Sequence, residues 1–320
     1  MNSRAAPITL ALITLAAVAA ILVWSTRPSS PDPTSTGPNR INSAAPHPAP
    51  SDSTSPPRLA VLSPALAVIL SDLGVAPSIV ARHGYDMVLD KSIPSCGDQS
   101  GVDYESLLSV RPTHVFIEWG SRPLPDRLVE LAKSHAWNVR PFTLLSLDDV
   151  TRTLTDLSAA LKDSGLDVSA RSTALAAALN DSMRPRANLE HLGGVLMLMS
   201  VRPPAALGPG SVHHEILTRL GAASALTKPS PYVELDAEDV CHLAPGVIVL
   251  ITPRAVGAAP VAKNTPEARR ALLGPLSSLD IPAVKLDRII VIDDPLSLLP
   301  TTRLTDFAKQ LGDQLEALAR

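Results

Sequence analysis

Two stretches of this chain are written to one pattern, and that repetition limits the folds open to it. Ile69-Leu-Ser-Asp-Leu-Gly-Val-Ala76 matches Ile216-Leu-Thr-Arg-Leu-Gly-Ala-Ala223. Further along each half, Asp103-Tyr-Glu105 leads to Arg111-Pro112, and Asp236-Ala-Glu238 leads to Ala244-Pro245. An apolar run follows each proline. Two copies are too few for a solenoid, so the pattern predicts two similar α/β lobes. Any two α/β lobes share short phrases by chance; the preserved order and the matched Asp-x-Glu argue against chance here.

Between the copies lies a helical stretch from Leu147 to Met183. Leu147, Val150, Leu154, Leu157 and Leu161 fall at helical spacing on one face. Lys162-Asp-Ser-Gly165 interrupts the run, with Gly165 placed to end it. A second helix is expected from Asp167 as N-cap, carrying Leu175, Leu179 and Met183. The organisation read from the sequence is therefore an N-terminal lobe over 58–146, connecting helices over 147–186 and a C-terminal lobe over 187–320. A length of 320 residues supports two cores.

Upstream of the lobes, residues 1–27 contain an almost unbroken apolar run, Pro7 to Trp24, after Arg4. It suits a signal peptide or a single membrane anchor, since about 20 apolar residues span a bilayer. Ala17-Val-Ala19 is the one stretch resembling a cleavage site, and no Cys follows for lipid attachment; an uncleaved anchor is the preferred expectation. Residues 28–57 hold nine prolines and ten Ser or Thr in thirty positions, a composition that cannot bury a core. They read as an extended tether, with the bulk of the chain exported.

In the first lobe, Leu59–Leu62 reads as a strand, Ser63 as N-cap and Pro64 as first residue of a helix closed by Gly74. Ile79–Ala81 and Thr113–Ile117 read as further strands, which makes a βαβ unit and a parallel sheet. Ligands of such sheets gather at the carboxyl ends of the strands. Those ends are Ser63-Pro64, His83–Asp86 and Glu118-Trp119-Gly120. Tyr85 and Trp119 are two of only six Trp and Tyr in the chain. In the second lobe, Val195–Ser200 reads as a buried strand, Arg202–Gly210 as a Pro/Gly loop, and Ser211 as cap of a helix ended by Gly221. Tyr232 is expected on a loop before Asp236. Gly246–Ile251 and Arg288–Asp293 read as strands, and Thr301–Arg320 as an amphipathic helix.

Signatures of catalysis are missing: no phosphate-cradling glycine loop, no nucleophile elbow, no cysteine pairing at zinc spacing. Cys96 and Cys241 fall in different lobes and are expected as free thiols. His213-His214-Glu215 is the densest cluster of ligand-type side chains, but adjacent residues of a helix point about 100° apart and cannot share one metal undistorted. A net charge of -3 gives no reason to expect nucleic-acid binding. Glu105 and Glu238 each follow an Asp N-cap by two positions. The helix dipole accounts for an acid at either place, though not for the match between lobes.

The ordered series Arg58–Ala65, Leu73-Gly74, Cys96-Gly97, Asp103-Tyr-Glu105, Arg111-Pro112, Gly210-Ser211, Leu220-Gly221, Glu238 and Ala244-Pro245 resembles the ABC-transporter substrate-binding proteins for cobalamin, ferric siderophores and haem. The resemblance covers about residues 58–320. It implies two α/β lobes joined by one long backbone helix with the ligand in a cleft between them. It also implies docking of Glu105 and Glu238 onto arginines of a permease dimer, and no enzymatic activity. Tyr85, Trp119 and Tyr232 match positions where the cobalamin binders place aromatics. The 202–210 loop lacks the aromatic that some of them carry, no arginine cluster suited to a siderophore stands out, and His83 with Tyr85 is the nearest approach to a haem-ligating pair. The resulting expectation is an extracytoplasmic, membrane-tethered, monomeric solute-binding protein with no cofactor, for cobalamin or a related corrinoid, or else a siderophore or haem. Its ligand-binding residues would be Ser63, Pro64, Tyr85, Trp119, Gly120, Arg202, Ser211, His213 and Tyr232. The competing reading from another class is a chelatase or metal-dependent enzyme on the same scaffold, using His83, His213 or His214 with Asp86. A sensor or scaffold that kept the fold but lost transport is a third.

Overall fold

The structure is a computed structural model that describes residues 56–320. The expectations for residues 1–27, and for all of 28–57 but its last two prolines, lie outside the described residues. Among the described residues no helix is long and apolar enough to cross a membrane.

In the first lobe, β1 (Leu59–Leu62) is buried along its whole length. Ser63 turns the chain into α1 (Pro64–Asp72): its hydroxyl accepts from Leu66 N, and Pro64 occupies the first turn, where its missing N–H costs nothing. Next come β2 (Ile79–Ala81), a small hairpin of β3 (Gly97–Asp98) and β4 (Gly101–Val102), α2 (Tyr104–Val110), β5 (His114–Glu118), α3 (Asp126–His135) and β6 (Asn138–Phe142). The sheet order is β2-β1-β5-β6, with every pairing parallel. The sequence reading did not include β6, which carries Pro141 and two exposed residues. As the outermost strand it tolerates both.

The link is α4 (Leu147–Lys162) and α5 (Ser169–Ser182). Ser146 and Asp149 close a capping box at the start of α4, and all five spaced apolar residues of its face are buried. Gly165, at φ +85°, ends the first helix, so the single long helix implied by the resemblance is here two helices. They pack side by side, with Ser172 Oγ donating to the Leu154 carbonyl at 3.0 Å. Asp167 is not the N-cap: it accepts from Ser169 N and Oγ, and Val168 occupies the cap position. At its two ends α4 meets different lobes. Leu147 N donates to Glu215 Oε2 at 3.0 Å, while Ser164 Oγ bonds His114 Nε2 at 2.9 Å.

The second lobe runs β7 (Val195–Val201), β8 (Pro204–Leu207), α6 (Val212–Arg219), β9 (Tyr232–Glu234), α7 (Ala237–Leu243), β10 (Val247–Ile251), α8 (Pro266–Leu273), α9 (Pro282–Lys285), β11 (Ile289–Ile292) and α10 (Leu304–Ala319). Its sheet is ordered β11-β10-β7-β8-β9, parallel through the first three strands and antiparallel through the last two pairings. Two expectations need correction. The expected 202–210 loop contains β8, and Tyr232 begins a strand. Neither segment has strand alternation of its own; Ala205, Ala206 and Leu207 are held because β7 and β9 flank them and bury their side chains.

The repeat extends to backbone detail. Ser211 Oγ accepts from His214 N as Ser63 Oγ does from Leu66 N, and Gly221 (φ +91°) ends α6 as Gly74 (φ +87°) ends α1. Helices α2 and α7 have seven residues each and start at Asp103 and Asp236. They end in left-handed Arg111 and Ala244, ahead of Pro112 and Pro245. In both lobes the next strand pairs in parallel with the lobe's first.

Candidate functional site

At the carboxyl edge of the first sheet, Ser63, Tyr85 and Trp119 follow three neighbouring strands, about 5 Å apart per step. The Ser63 hydroxyl is buried and used twice, accepting from Leu66 N and donating to Glu118 Oε2 at 2.7 Å. Burial raises the pKa of Glu118, opposed by the Ser63 hydrogen bond. Trp119 is half-buried; its Nε1 donates to the Pro123 carbonyl at 2.8 Å, and the Arg122 guanidinium lies 4.4 Å over its ring. Gly120 takes φ +66°, which lets both its N–H and that of Trp119 reach the Phe142 carbonyl. Tyr85 N donates to Nδ1 of the buried His83, with the two rings 5.8 Å apart. Burial lowers the His83 pKa, although Asp98 and Asp86 pull it up.

Exposed large apolar side chains concentrate at one kind of place. Tyr85 (43% exposed) and Val88 (39%) follow β2, Leu145 (51%) follows β6, and Val256 (58%) follows β10. All four lie just beyond the carboxyl end of a parallel strand. Leu286 (57%) is the exception, ahead of β11.

The second-lobe residues expected at the ligand divide. Arg202 follows β7 and is exposed, with its guanidinium against Gly274. Tyr232 pairs with Leu207, itself opposite Met197, which sets it two strands across and about 13 Å back along the strand direction from the carboxyl end of β7. Its hydroxyl donates to Glu234 Oε1 at 3.3 Å. Ser211 is buried and engaged, donating to the Gly208 carbonyl and accepting from His214 N. His213 is turned into the packing. Only 3% exposed, it donates from Nε2 to the Ser297 carbonyl at 2.7 Å and meets Phe307 edge-on at 4.9 Å. Burial lowers its pKa to about 4, with the Ser297 bond opposing, so the ring is neutral at pH 7.

The cluster His213-His214-Glu215 is thus spread over three tasks, with His214 half-buried and Glu215 on the start of α4. Asp86, the carboxylate suggested for a metal-dependent enzyme, is buried, and its Oδ1 accepts from Val88 N and Leu89 N. Among the described residues no three His, Cys, Asp or Glu are placed to hold a metal ion. Cys96 and Cys241 are both free, and burial pushes the Cys96 thiol up to about 11.

Glu118 follows the apolar Val-Phe-Ile117 and was named only as part of a strand end; three further polar residues of these edges were not singled out from the sequence. Asp293 likewise follows Ile-Ile-Val-Ile, but its partners Lys263 and Arg254 are joined to it only by the fold.

No protein-family model and no curated protein sequence matches the chain. Solved structures do. The periplasmic heme-binding protein RhuT from Roseiflexus sp. RS-1 superposes with a TM-score of 0.60 at 20% identity, over 83% of this chain and 100% of that one. The fold is that of the two-lobed periplasmic binding proteins. The same periplasmic-binding fold is shared with the heme-binding HutB of Vibrio cholerae (TM-score 0.61, 17% identity, 80% and 97% covered). The vitamin B12-binding BtuF of Vibrio cholerae has it too (0.59, 17%, 82% and 97%). The solved structures that share the fold include members of the class that the sequence resembles.

Proposed function

We propose that this chain is the solute-binding component of an ABC importer, working outside the cytoplasmic membrane and carrying a metal chelate to a permease dimer. The observation that carries this reading is that exposed large apolar side chains follow the carboxyl ends of parallel strands in both lobes, Tyr85, Val88 and Leu145 in the first and Val256 in the second. A binding protein for a large apolar ligand needs such walls, with few polar groups among them. Neighbours of the same fold bind heme and vitamin B12, and a third belongs to an ABC-type Fe3+-hydroxamate transport system. The sequence favours cobalamin or a related corrinoid; Tyr85 beside His83 favours haem, because an exposed phenol next to an imidazole suits a ferric centre. The proposed contacts are Tyr85, Trp119, Gly120 and Arg202, with Ser63, Pro64 and Ser211 shaping the walls from the helix starts. His213 supports the wall from behind, and Tyr232 flanks it. Glu105 and Glu238, one per lobe, are the proposed permease contacts, and the chain acts as a monomer tethered through its N-terminal segment. Binding is the proposed activity, without catalysis.

Titration with cyanocobalamin, haem and a ferric hydroxamate tests the reading, and binding of none of them contradicts it. With the ligand that binds, Tyr85→Ala and Trp119→Ala should each lose roughly 1–3 kcal/mol of affinity, the burial value of one ring. Tyr232→Ala should lose less, since that ring stands further from the strand ends. Wild-type affinity in both of the first two variants would place the ligand elsewhere.

A further inference from the structure

The matched repeats differ in charge at one position. Asp72 of Ile69–Ala76 stands where Arg219 does in Ile216–Ala223, each the last residue of its helix, α1 and α6. Both side chains leave their own lobe. Arg219 turns to the connecting helices, donating from Nη1 to Asn180 Oδ1 on α5 at 3.3 Å and standing 3.8 Å from Asp148 on α4. Asp72 reaches past them. Its Oδ2 accepts from Thr302 Oγ1 and its Oδ1 from Arg303 Nη2, each at 2.6 Å, at the start of α10 in the second lobe. The Asp72 carbonyl, one of the terminal carbonyls of α1, accepts from Arg171 Nε on α5.

Backbone and side chain of this one residue therefore hold three elements together, α1 of the first lobe, α5 of the link and α10 of the second lobe. The Asp72 side chain is 13% exposed and Thr302 is 4% exposed, so both carboxylate oxygens are occupied in a largely dry place. Water and salt screen such a pair less than one at the open surface. Other ties to the link join it to a single lobe: Leu147 N to Glu215 of the second, Ser164 Oγ to His114 of the first. Helix α1 itself begins at Ser63, on the carboxyl edge of its sheet, and ends at Asp72 about 14 Å away. A tilt of the first lobe is carried along that rod to the bonds with Thr302 and Arg303.

We propose that Asp72 is an interlobe clasp: its carboxylate locks the first lobe onto the start of α10 and fixes the angle between the lobes, which swing apart only when both bonds to it break. Arg219, at the matched position, anchors its lobe to the link and is no such lock. The inference stands on the two-lobed fold and needs no particular ligand.

Spin labels test it, one on the exposed native Cys241 of α7 and one on Lys133→Cys, an exposed site of α3, in the purified full chain; Cys96 is buried and stays unlabelled. The intact clasp should give one narrow distribution of distances between the lobes. Asp72→Ala should broaden it about twofold or more, and so should Thr302→Val combined with Arg303→Gln, which removes the same two bonds from the other lobe. All three substitutions together should add nothing further, because they remove one interaction. Asp72→Asn keeps the shape and an acceptor but loses the charge; it should fall between wild type and Asp72→Ala, and it serves if the alanine variant fails to fold. Arg219→Gln should leave the width unchanged. A wild-type width in any of the clasp variants overturns the proposal. So does additive broadening in the triple variant, or equal broadening by Arg219→Gln, which would make Asp72 one loose helix end among others.

Discussion

Acidification from pH 7 to pH 4 should cost the fold about 3 kcal/mol through His213 alone. The folded-state pKa is about 4 against an ordinary 6.5, because the ring is buried against Phe307. Above pH 6.5 the imidazole is neutral whether the chain is folded or not. Between 6.5 and 4 the unfolded chain takes up a proton that the folded one refuses, so stability falls as pH falls. Below about 4 both states are charged and the loss levels off. Denaturant unfolding at pH 7.5, 5.5 and 4.5 reads this directly. His213→Gln retains an amide able to donate to Ser297 and has no charge to gain; it should lower stability at pH 7.5 but flatten the dependence. Equal slopes in wild type and variant would mean that other groups carry the acid sensitivity.

Reversal of both Glu105 and Glu238 to Arg should nearly abolish uptake in cells that carry the cognate permease. Both carboxylates are exposed, each at the second position of a seven-residue helix begun by an Asp cap. Surface charges in a first turn contribute about 0.3–1 kcal/mol each, so the melting temperature should shift only slightly. Ligand affinity should not move, since both carboxylates are exposed and neither is among the proposed ligand contacts. Docking is different, because two misplaced cations add repulsion to lost attraction. Alanine at both sites should give a milder defect than arginine. Full uptake by the double Arg variant would reduce these residues to helix-start acids.

What the sequence made legible was the chemistry that acts within a few residues. Ser63 and Ser211 cap their helices, Gly74 and Gly221 end them, and Asp103 and Asp236 start the matched pair as expected, because capping is a short-range bond. The apolar face of α4 was equally visible from its spacing. Strands held by their neighbours were not. Asn138–Phe142 and Pro204–Leu207 lack alternation, and only the sheet around them makes them strands. The placement of Tyr85 and Trp119 was legible, because they follow strands whose ends could be read. His213 was misjudged because a helix start names the turn but not which side of it faces the packing. Arg254, Lys263 and Asp293 come from separate segments of the second lobe, and no spacing rule connects them.

Hydrogen exchange with and without the tightest-binding chelate tests the central claim most directly. Occupation of the carboxyl edges of both sheets should slow exchange in 82–91, 118–122 and 252–263 together. Protection confined to one lobe would contradict a ligand held between the two carboxyl edges.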